Sequence, residues 1–258
     1  MSASKKPKAK RKLDFTLRFW KLNQRVKLAS LQSSGYDERM TTLLIATRNA
    51  HKVGEIQAIL GDGFSCLTLK EFPDAPAVVE DADTFAGNAS KKAAELARWL
   101  AGKHPTSNTQ YRPPKFVLAD DSGLEVDALN GAPGVHSARF AALDKSENSH
   151  DADNNAKLLR LLKDVPLEKR TGRFHCVIAL VSVTTEASRQ SPDAKLFEGT
   201  CEGVIQFAAS GQGGFGYDPL FVPVGFQQSF AELGEDVKNR LSHRAQALMK
   251  LKNWPELR

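Results

Sequence analysis

Two rhythms of apolar residues run along this chain. Thr42-Leu43-Leu44-Ile45-Ala46-Thr47 is a short unbroken apolar run ending in polar residues, as in a buried strand. Over residues 52–60 the period changes, with Val53, Ile56, Ile59 and Leu60 at helical intervals. A strand, a loop and a helix follow from that change. Residues 64–69 read as a second strand. After the acidic stretch at 80–83 the spacing predicts a helix over about 84–101, opened by Asp83 or Thr84, whose side-chain oxygen can accept unpaired N–H groups of the first turn. Prolines at 105, 113 and 114 make residues 102–115 an exposed loop. Phe116-Val117-Leu118-Ala119 is the next strand, running straight into Asp120-Asp121-Ser122-Gly123.

The second half predicts a helix over 153–162, then two long strands, 173–183 and 195–205, best paired antiparallel. A glycine-rich turn at 210–219 leads to Leu220-Phe221-Val222, and residues 230–233 and 241–252 form a final helical region. No internal repeat is visible. Strands alternating with helices, followed by a strand pair, imply an α/β domain built on a mixed sheet.

Composition changes this picture mainly at the N-terminus. Of the net charge of +6, residues 1–40 carry +8, so the rest of the 258-residue chain sums to about −2. The division is therefore a basic, disordered extension at 1–40 and a near-neutral domain at 41–258. Leu13, Leu17, Trp20 and Leu28 fall at roughly helical spacing among the basic residues. The extension reads as a nucleic-acid or membrane-surface tail, a targeting peptide, or a stretch ahead of a natural start at Met40. A nucleic-acid binding protein anchored by this tail is the competing class of function; its signal is compositional only. No apolar run approaches the roughly 20 residues of a membrane span. Cys66, Cys176 and Cys201 are odd in number and widely spaced, which fits a reducing, cytoplasmic setting and no zinc knuckle. His175, within Arg173-Phe174-His175-Cys176, reads as part of a buried or edge strand and not as a metal ligand, because neighbouring strand residues point to opposite faces.

Candidate chemistry gathers at four places. Asp120 and Asp121 at the end of a buried strand put negative charge where α/β folds bind ligands, and a Mg²⁺ ion held by oxygen would relieve their mutual repulsion. Taken alone, the segment is also an ordinary Asp-Ser-Gly turn. Ser210-Gly211-Gln212-Gly213-Gly214-Phe215-Gly216 contains the dinucleotide-type G-x-G-x-x-G string, but Tyr217-Asp218-Pro219 follows where a helix should open. What remains is a loop that can bring backbone close to a ligand and present Phe215 and Tyr217 for stacking, or a tight turn with a packed aromatic. Thr47-Arg48-Asn49-Ala50-His51-Lys52, between the first strand and helix, can hold a polyphosphate. Lys238 with Ser242-His243-Arg244 offers cations and donors for a phosphate or for purine O6 and N7, or is a solvated helix start.

Together these pieces resemble the inosine triphosphate pyrophosphatase family over about residues 42–252. The most specific stretch runs from Asp120-Asp121-Ser122-Gly123-Leu124-Glu125-Val126-Asp127 through Gly131-Ala132-Pro133-Gly134 to Ser137-Ala138-Arg139-Phe140. Thr84-Phe85 with Asn88-Ala89 and Lys92-Ala93, then Gly213 through Pro219 and Ser242-His243-Arg244, keep the family's order and spacing. The resemblance implies a mixed twisted sheet flanked by helices in two lobes with a central substrate cleft. It also implies Mg²⁺-dependent cleavage of ITP, dITP and XTP to the monophosphate and pyrophosphate, in a homodimer. By the same resemblance Asp121 is general base and metal ligand, Glu80 the second metal carboxylate, and Thr47, Arg48, Asn49, Ala50, His51 and Lys52 triphosphate binders. Ser122 is a substrate contact, and Phe215, Gly216, Tyr217, Asp218, Lys238, His243 and Arg244 contact base and phosphates. A pyrophosphatase of different base preference is the alternative enzyme. Two departures stand out: Arg48, where many members carry Gly or Ser, and the long proline-rich loop.

Overall fold

In the computed structural model, residues 40–102, 113–142, 148–184 and 193–257 are described. The extension before Met40 and residues 103–112 of the expected proline-rich loop lie outside them. Strand β1 (Thr41–Ile45) pairs in parallel with β2 (Phe64–Thr68) on one side and with β3 (Phe116–Val126) on the other. Strands β4 (Thr171–Ser182), β5 (Lys195–Ile205) and β6 (Phe221–Pro223) continue antiparallel. The result is the mixed sheet expected from the sequence, in the order β2-β1-β3-β4-β5-β6. All of β1 is buried, hence its unbroken apolar run, whereas β5 alternates, with Phe197, Gly199 and Cys201 inward and Glu198, Thr200 and Glu202 outward.

Helix α1 (Ala50–Leu60) is capped by Asn49, whose Oδ1 accepts the N–H groups of His51 (2.9 Å) and Lys52 (3.2 Å). Helix α2 (Phe85–Ala101) is capped by Thr84, and its stripe of Phe85, Ala89, Ala93, Leu96, Ala97 and Leu100 covers one face of the sheet over Leu44, Val117, Ala119 and Val177. Helices α3 (Asp151–Leu161), α4 (Phe230–Leu233), α5 (Glu235–Leu241) and α6 (His243–Lys252) complete the set. On the opposite face, α6 lays Ala247, Leu248 and Leu251, with Ile56 and Leu60 of α1, over Leu43, Ile45, Leu118 and Ile178. A third cluster joins Leu124 and Val126 to Phe174, Ile205, Phe221, Phe230 and Leu158. Each buried leucine contributes roughly 1.5–3 kcal/mol, so Leu118→Ala alone should cost about 2–5 kcal/mol.

Several boundaries differ from expectation by a residue or two, and three differences matter here. The expected 241–252 helix is α6 alone from His243, where Ser242 accepts the Ala245 N–H and caps it, and Leu241 instead ends a separate helix, α5. Helix α3 starts at Asp151, ahead of the expected 153. The largest difference is β3, which does not end at Ala119 but runs on through Asp120-Asp121-Ser122-Gly123 to Val126, because β4 pairs with it along its whole length, from Phe116 opposite Ser182 to Val126 opposite Gly172. Gly123 makes no turn; a Cβ there would collide with the Gly134 carbonyl and the Ser137 hydroxyl.

That extension carries β3 beyond the end of its β1 partner. β1 pairs with β3 only from Leu43 to Ile45, and after the Ala46 N–H reaches the Leu118 carbonyl (2.7 Å) it leaves the sheet. From Ala119 onward the flank of β3 facing away from β4 has no named strand beside it among the described residues, only an isolated bridge from Glu125 to Pro133. Residues 120–123 also fall between the two clusters around Val117–Ala119 and the third around Leu124 and Val126. A polar seam thus opens off the carboxyl end of β1, where α/β sheets bind ligands.

Candidate active site

Consecutive strand residues point to opposite faces, so Asp120 and Asp121 enter different environments. Asp120 turns toward α1 and α6. Its Oδ1 meets Lys52 Nζ at 2.5 Å and accepts from the Ser122 hydroxyl at 3.0 Å. Its Oδ2 accepts from Arg244 Nε at 2.9 Å and from the Cys176 thiol at 3.2 Å. Burial works to raise the pKa of this carboxyl, but the Arg244 and Lys52 charges hold it well below the usual range. The expected repulsion between Asp120 and Asp121 is therefore not the feature that calls for a cation: the protein's own cations neutralise Asp120.

The same face carries an alternating chain of charge. Arg244 also pairs with Glu55 and donates to Ser122 Oγ (2.9 Å); Glu55 meets Lys238 Nζ at 2.7 Å; and Lys238 meets Asp218 at 2.5 Å. Burial opposes ionisation of Glu55, yet Arg244 and Lys238 keep its pKa below the ordinary value. His243 stacks on Phe174, ring centroids 4.8 Å apart, with Nδ1 buried and unpartnered. Burial first, then the Arg244 and Lys238 charges, push its pKa well down, so the imidazole is neutral at pH 7.

Asp121 faces α2 and is treated in the opposite way. Only 6% exposed, it accepts the Ser122 N–H (3.1 Å) on Oδ1 and leaves Oδ2 buried without a partner. Burial pushes its pKa up to about 6; Glu80 adds to the rise, while Lys52, Lys92 and Asn88 oppose it. Glu80 is held by Lys92 Nζ at 2.7 Å, and that ammonium also donates to the Asp120 backbone carbonyl (3.3 Å). Asn88 accepts the Ala82 N–H (2.9 Å) and donates to the Ala82 carbonyl (3.2 Å), fixing the acidic stretch against α2. Asp81 is drawn to Lys91 (2.6 Å) at the surface, which leaves Glu80 as the acid coupled to Asp121.

The remaining expected residues are distributed unevenly. Thr47 Oγ1 accepts the Asn49 N–H (3.2 Å), Ala50 opens α1, and Arg48 donates to the Ala75 carbonyl (3.3 Å). His51, exposed in the first turn, stacks on Phe215 with centroids 5.2 Å apart and planes at 18°, joining the first loop to the glycine loop. Lys238 Nζ stands 4.3 Å from the Phe215 ring centroid. Tyr217 is not free to stack: it is 4% exposed, packs in the third cluster and donates its hydroxyl to the Ser137 carbonyl (2.9 Å). Asp218 is a loop brace, accepting the Phe215 N–H (2.8 Å) while paired to Lys238. Gly214 has φ +73° and lies so close to the Asp218 carboxylate that no Cβ would fit. As expected, the glycine string opens no helix; β6 follows it.

Three members of the site carry no role in the sequence reading. Asn88 and Lys92 lie one turn apart among the apolar positions of α2, and polar residues interrupting an apolar stripe were the available signal. Glu55 has no such signal, since nothing local in α1 reveals that Lys238 and Arg244 converge on it.

Fold and seam together define an α/β protein with a cluster of buried charged side chains at the carboxyl end of a parallel strand. The chain belongs to the Ham1 family, whose model matches residues 43–254. It is 47% identical over 220 residues to a dITP/XTP pyrophosphatase of Geobacillus kaustophilus, covering 84% of this chain and 96% of that protein. It is 46% identical to one of Desulforamulus reducens, covering 81% and 92%. A HAM1 protein from Coxiella burnetii has the same fold, with a TM-score of 0.66 at 36% identity over 82% of this chain and 96% of that one.

Proposed function

We propose that this protein hydrolyses deaminated purine nucleoside triphosphates, ITP, dITP and XTP, to the monophosphate and pyrophosphate by attack of water on the α-phosphorus. The observation that carries this reading is Asp121: a buried carboxylate with one unpartnered oxygen and a pKa near 6, beside a second carboxylate and two lysines. A general base works best with a pKa near the operating pH, and Asp121 can take the proton of water at Oδ2. Lys52 and Lys92 offer the positive charge that triphosphate oxygens require.

The donor set fits a hard divalent cation. Among the described residues no three His, Cys, Asp or Glu gather into a metal cage, but Mg²⁺ is commonly held by one or two carboxylates plus waters and phosphate oxygens. Glu80 and Asp121 would hold it, with one Asp121 oxygen kept for the water's proton. Bound there, it would supply charge neutralisation at the phosphate oxygens and relieve the Asp121–Glu80 repulsion. Thr47 to Lys52 line the phosphate end. Phe215 stacks on the purine, Gly216 and Asp218 shape its loop, and Lys238, neutral His243 and Arg244, oriented by Glu55 and Asp120, face its 6-keto edge. An adenine amino group opposite such donors leaves buried groups unpaired at about 1–3 kcal/mol each, which disfavours ATP.

Residues 41–258 hold the activity in this reading and 1–40 are dispensable for it, so removing residues 1–39 should leave turnover unchanged. No helix among the described residues is long and apolar enough to cross a membrane. A cytoplasmic homodimer completes the proposal, and sedimentation of the purified protein tests its second half. The main test mixes enzyme, Mg²⁺ and ITP, ATP or GTP and identifies the products. IMP and pyrophosphate from ITP, with little from ATP or GTP, supports the reading. IDP and phosphate, or equal turnover of all three, overturns it.

A further inference from the structure

We infer that Asp151 and Asn155, at the start of α3, are positioning residues for the purine-binding loop, setting base recognition without taking part in phosphate chemistry. The two side chains lie one helical turn apart on the same face. Asp151 Oδ2 accepts the Gly216 N–H at 2.6 Å, and Asn155 Nδ2 donates to the Gly216 carbonyl at 3.0 Å. One helix therefore holds Gly216 on both sides, in the peptides joining it to Phe215 and to Tyr217. Gly216 has φ +61°, in the left-handed region, and a Cβ at this position would meet nothing within 4 Å. The clamp thus addresses a backbone that glycine leaves conformationally free.

The clamp has a fixed base. Leu158 of α3 is fully buried in the third apolar cluster, and Asn154 accepts the Ala141 N–H (2.7 Å) and donates to the Ala138 carbonyl (3.3 Å). Asn155 itself is held at a cost: its Oδ1 is buried without a partner, so the amide keeps its place for the bond to Gly216 and not for full polar satisfaction. The hydrogen bonds described for these two side chains go to Gly216, just after Phe215, while Asp218 accepts the N–H of Phe215 itself. Phe215 is thereby set from both sides. Asp151 and Asn155 have no described bond to Asp121, Glu80, Lys92 or Lys52.

The inference rests on the proposal that Phe215 stacks on the purine, and the experiment separates the two. Steady-state kinetics with ITP and GTP, and competitive inhibition by inorganic tripolyphosphate, are measured for wild type, Asn155→Ala, Asp151→Ala, Asp151→Asn and Phe215→Ala. Each alanine variant in α3 should raise KM for ITP about five- to tenfold, leave kcat within about twofold, narrow the preference for ITP over GTP, and leave the tripolyphosphate inhibition constant unchanged. Asp151→Asn, which keeps an acceptor oxygen, should restore most of the KM. An equal rise in KM and in the tripolyphosphate constant, or a fall in kcat at constant KM, would overturn the positioning role. So would unchanged KM in both α3 alanine variants when Phe215→Ala raises it. Unchanged KM in Phe215→Ala would instead remove the base-stacking reading, and the clamp's role with it. Should Asn155→Ala not fold, the exposed Asp151 position carries the same contrast.

Discussion

The two faces of the sheet at Asp120 and Asp121 are built on opposite principles. On the α6 face both oxygens of Asp120 are met by cations or donors, and charge alternates from Lys52 through Asp120, Arg244, Glu55 and Lys238 to Asp218. On the α2 face Asp121 keeps an oxygen unpartnered and shares its surroundings with Glu80. The first arrangement orients groups; the second holds a carboxyl at a pKa it would not have in water. The contrast separates support from chemistry one residue apart: perturbed, incompletely satisfied carboxylates mark sites that act, and saturated ones mark scaffolds.

The sharpest break of this comparison is Asp121→Asn. In the proposed mechanism this variant loses a general base and a metal ligand together, which should lower turnover on the order of 10⁴-fold with the fold retained. The same variant should be more stable than wild type without metal. In wild type the Asp121 carboxyl titrates near 6 when folded against about 3.8 unfolded, a difference of roughly 3 kcal/mol that the variant does not carry, so in EDTA at pH 8 the variant's Tm should be higher by several degrees. A turnover above a tenth of wild type would end the assigned role.

Asp120→Asn sharpens the other side. It leaves Lys52 and Arg244 in a buried site with their shared counter-charge gone, and breaking such a pair from one side costs about 3–5 kcal/mol. Denaturant unfolding should show that loss in the midpoint, with an unchanged m-value. A loss below about 1 kcal/mol would mean that the chain of charge is ornamental.

The two carboxylates should also pull the pH dependence of stability in opposite directions. Asp121, with its folded pKa raised, contributes stability that is fully present below about pH 4 and is lost as pH rises through about 6. Asp120, with its folded pKa depressed, contributes stability that is present above about pH 4 and lost as pH falls toward its lower folded value. Metal-free wild type minus Asp121→Asn, followed from pH 4 to 8, should therefore fall by about 2 kcal/mol, and saturating Mg²⁺ should restore much of it. A flat difference would show Asp121 to be as well satisfied as its neighbour.

Much of this organisation is legible in the sequence, for reasons that also mark where legibility stops. Apolar pattern alone gives β1, buried throughout, and α1, α2 and β5, each of which buries one face at its own spacing. The end of β3 is misread because Asp-Asp-Ser-Gly has the composition of a turn, while β4 supplies backbone partners through it. Asp121 stands out through the resemblance, but its difference from Asp120 depends on which helix covers which face. Tyr217 reads as a stacking ring because its packing partner, Ser137, is remote in sequence. Glu55 escapes for the same reason, its partners lying at Lys238 and Arg244.

The smallest expected effect probes how tightly the α6 face is closed. The Cys176 thiol donates to Asp120 Oδ2 and is fully buried; burial first, and the Asp120 charge second, raise its pKa well above the ordinary thiol value. A thiol is a weak donor, and Asp120 keeps Arg244, Lys52 and Ser122 without it, so Cys176→Ala should cost no more than about 1–2 kcal/mol and change turnover less than threefold. Because the thiolate is the reactive form and this sulfur is kept neutral and covered, Cys176 should also resist thiol reagents in the native protein and react only on unfolding. Mass spectrometry after a timed pulse of alkylating reagent reads that directly. Rapid native labelling at Cys176 would mean that the α6 face opens in solution, and the division between a closed scaffold around Asp120 and a receptive site around Asp121 would then have to be redrawn.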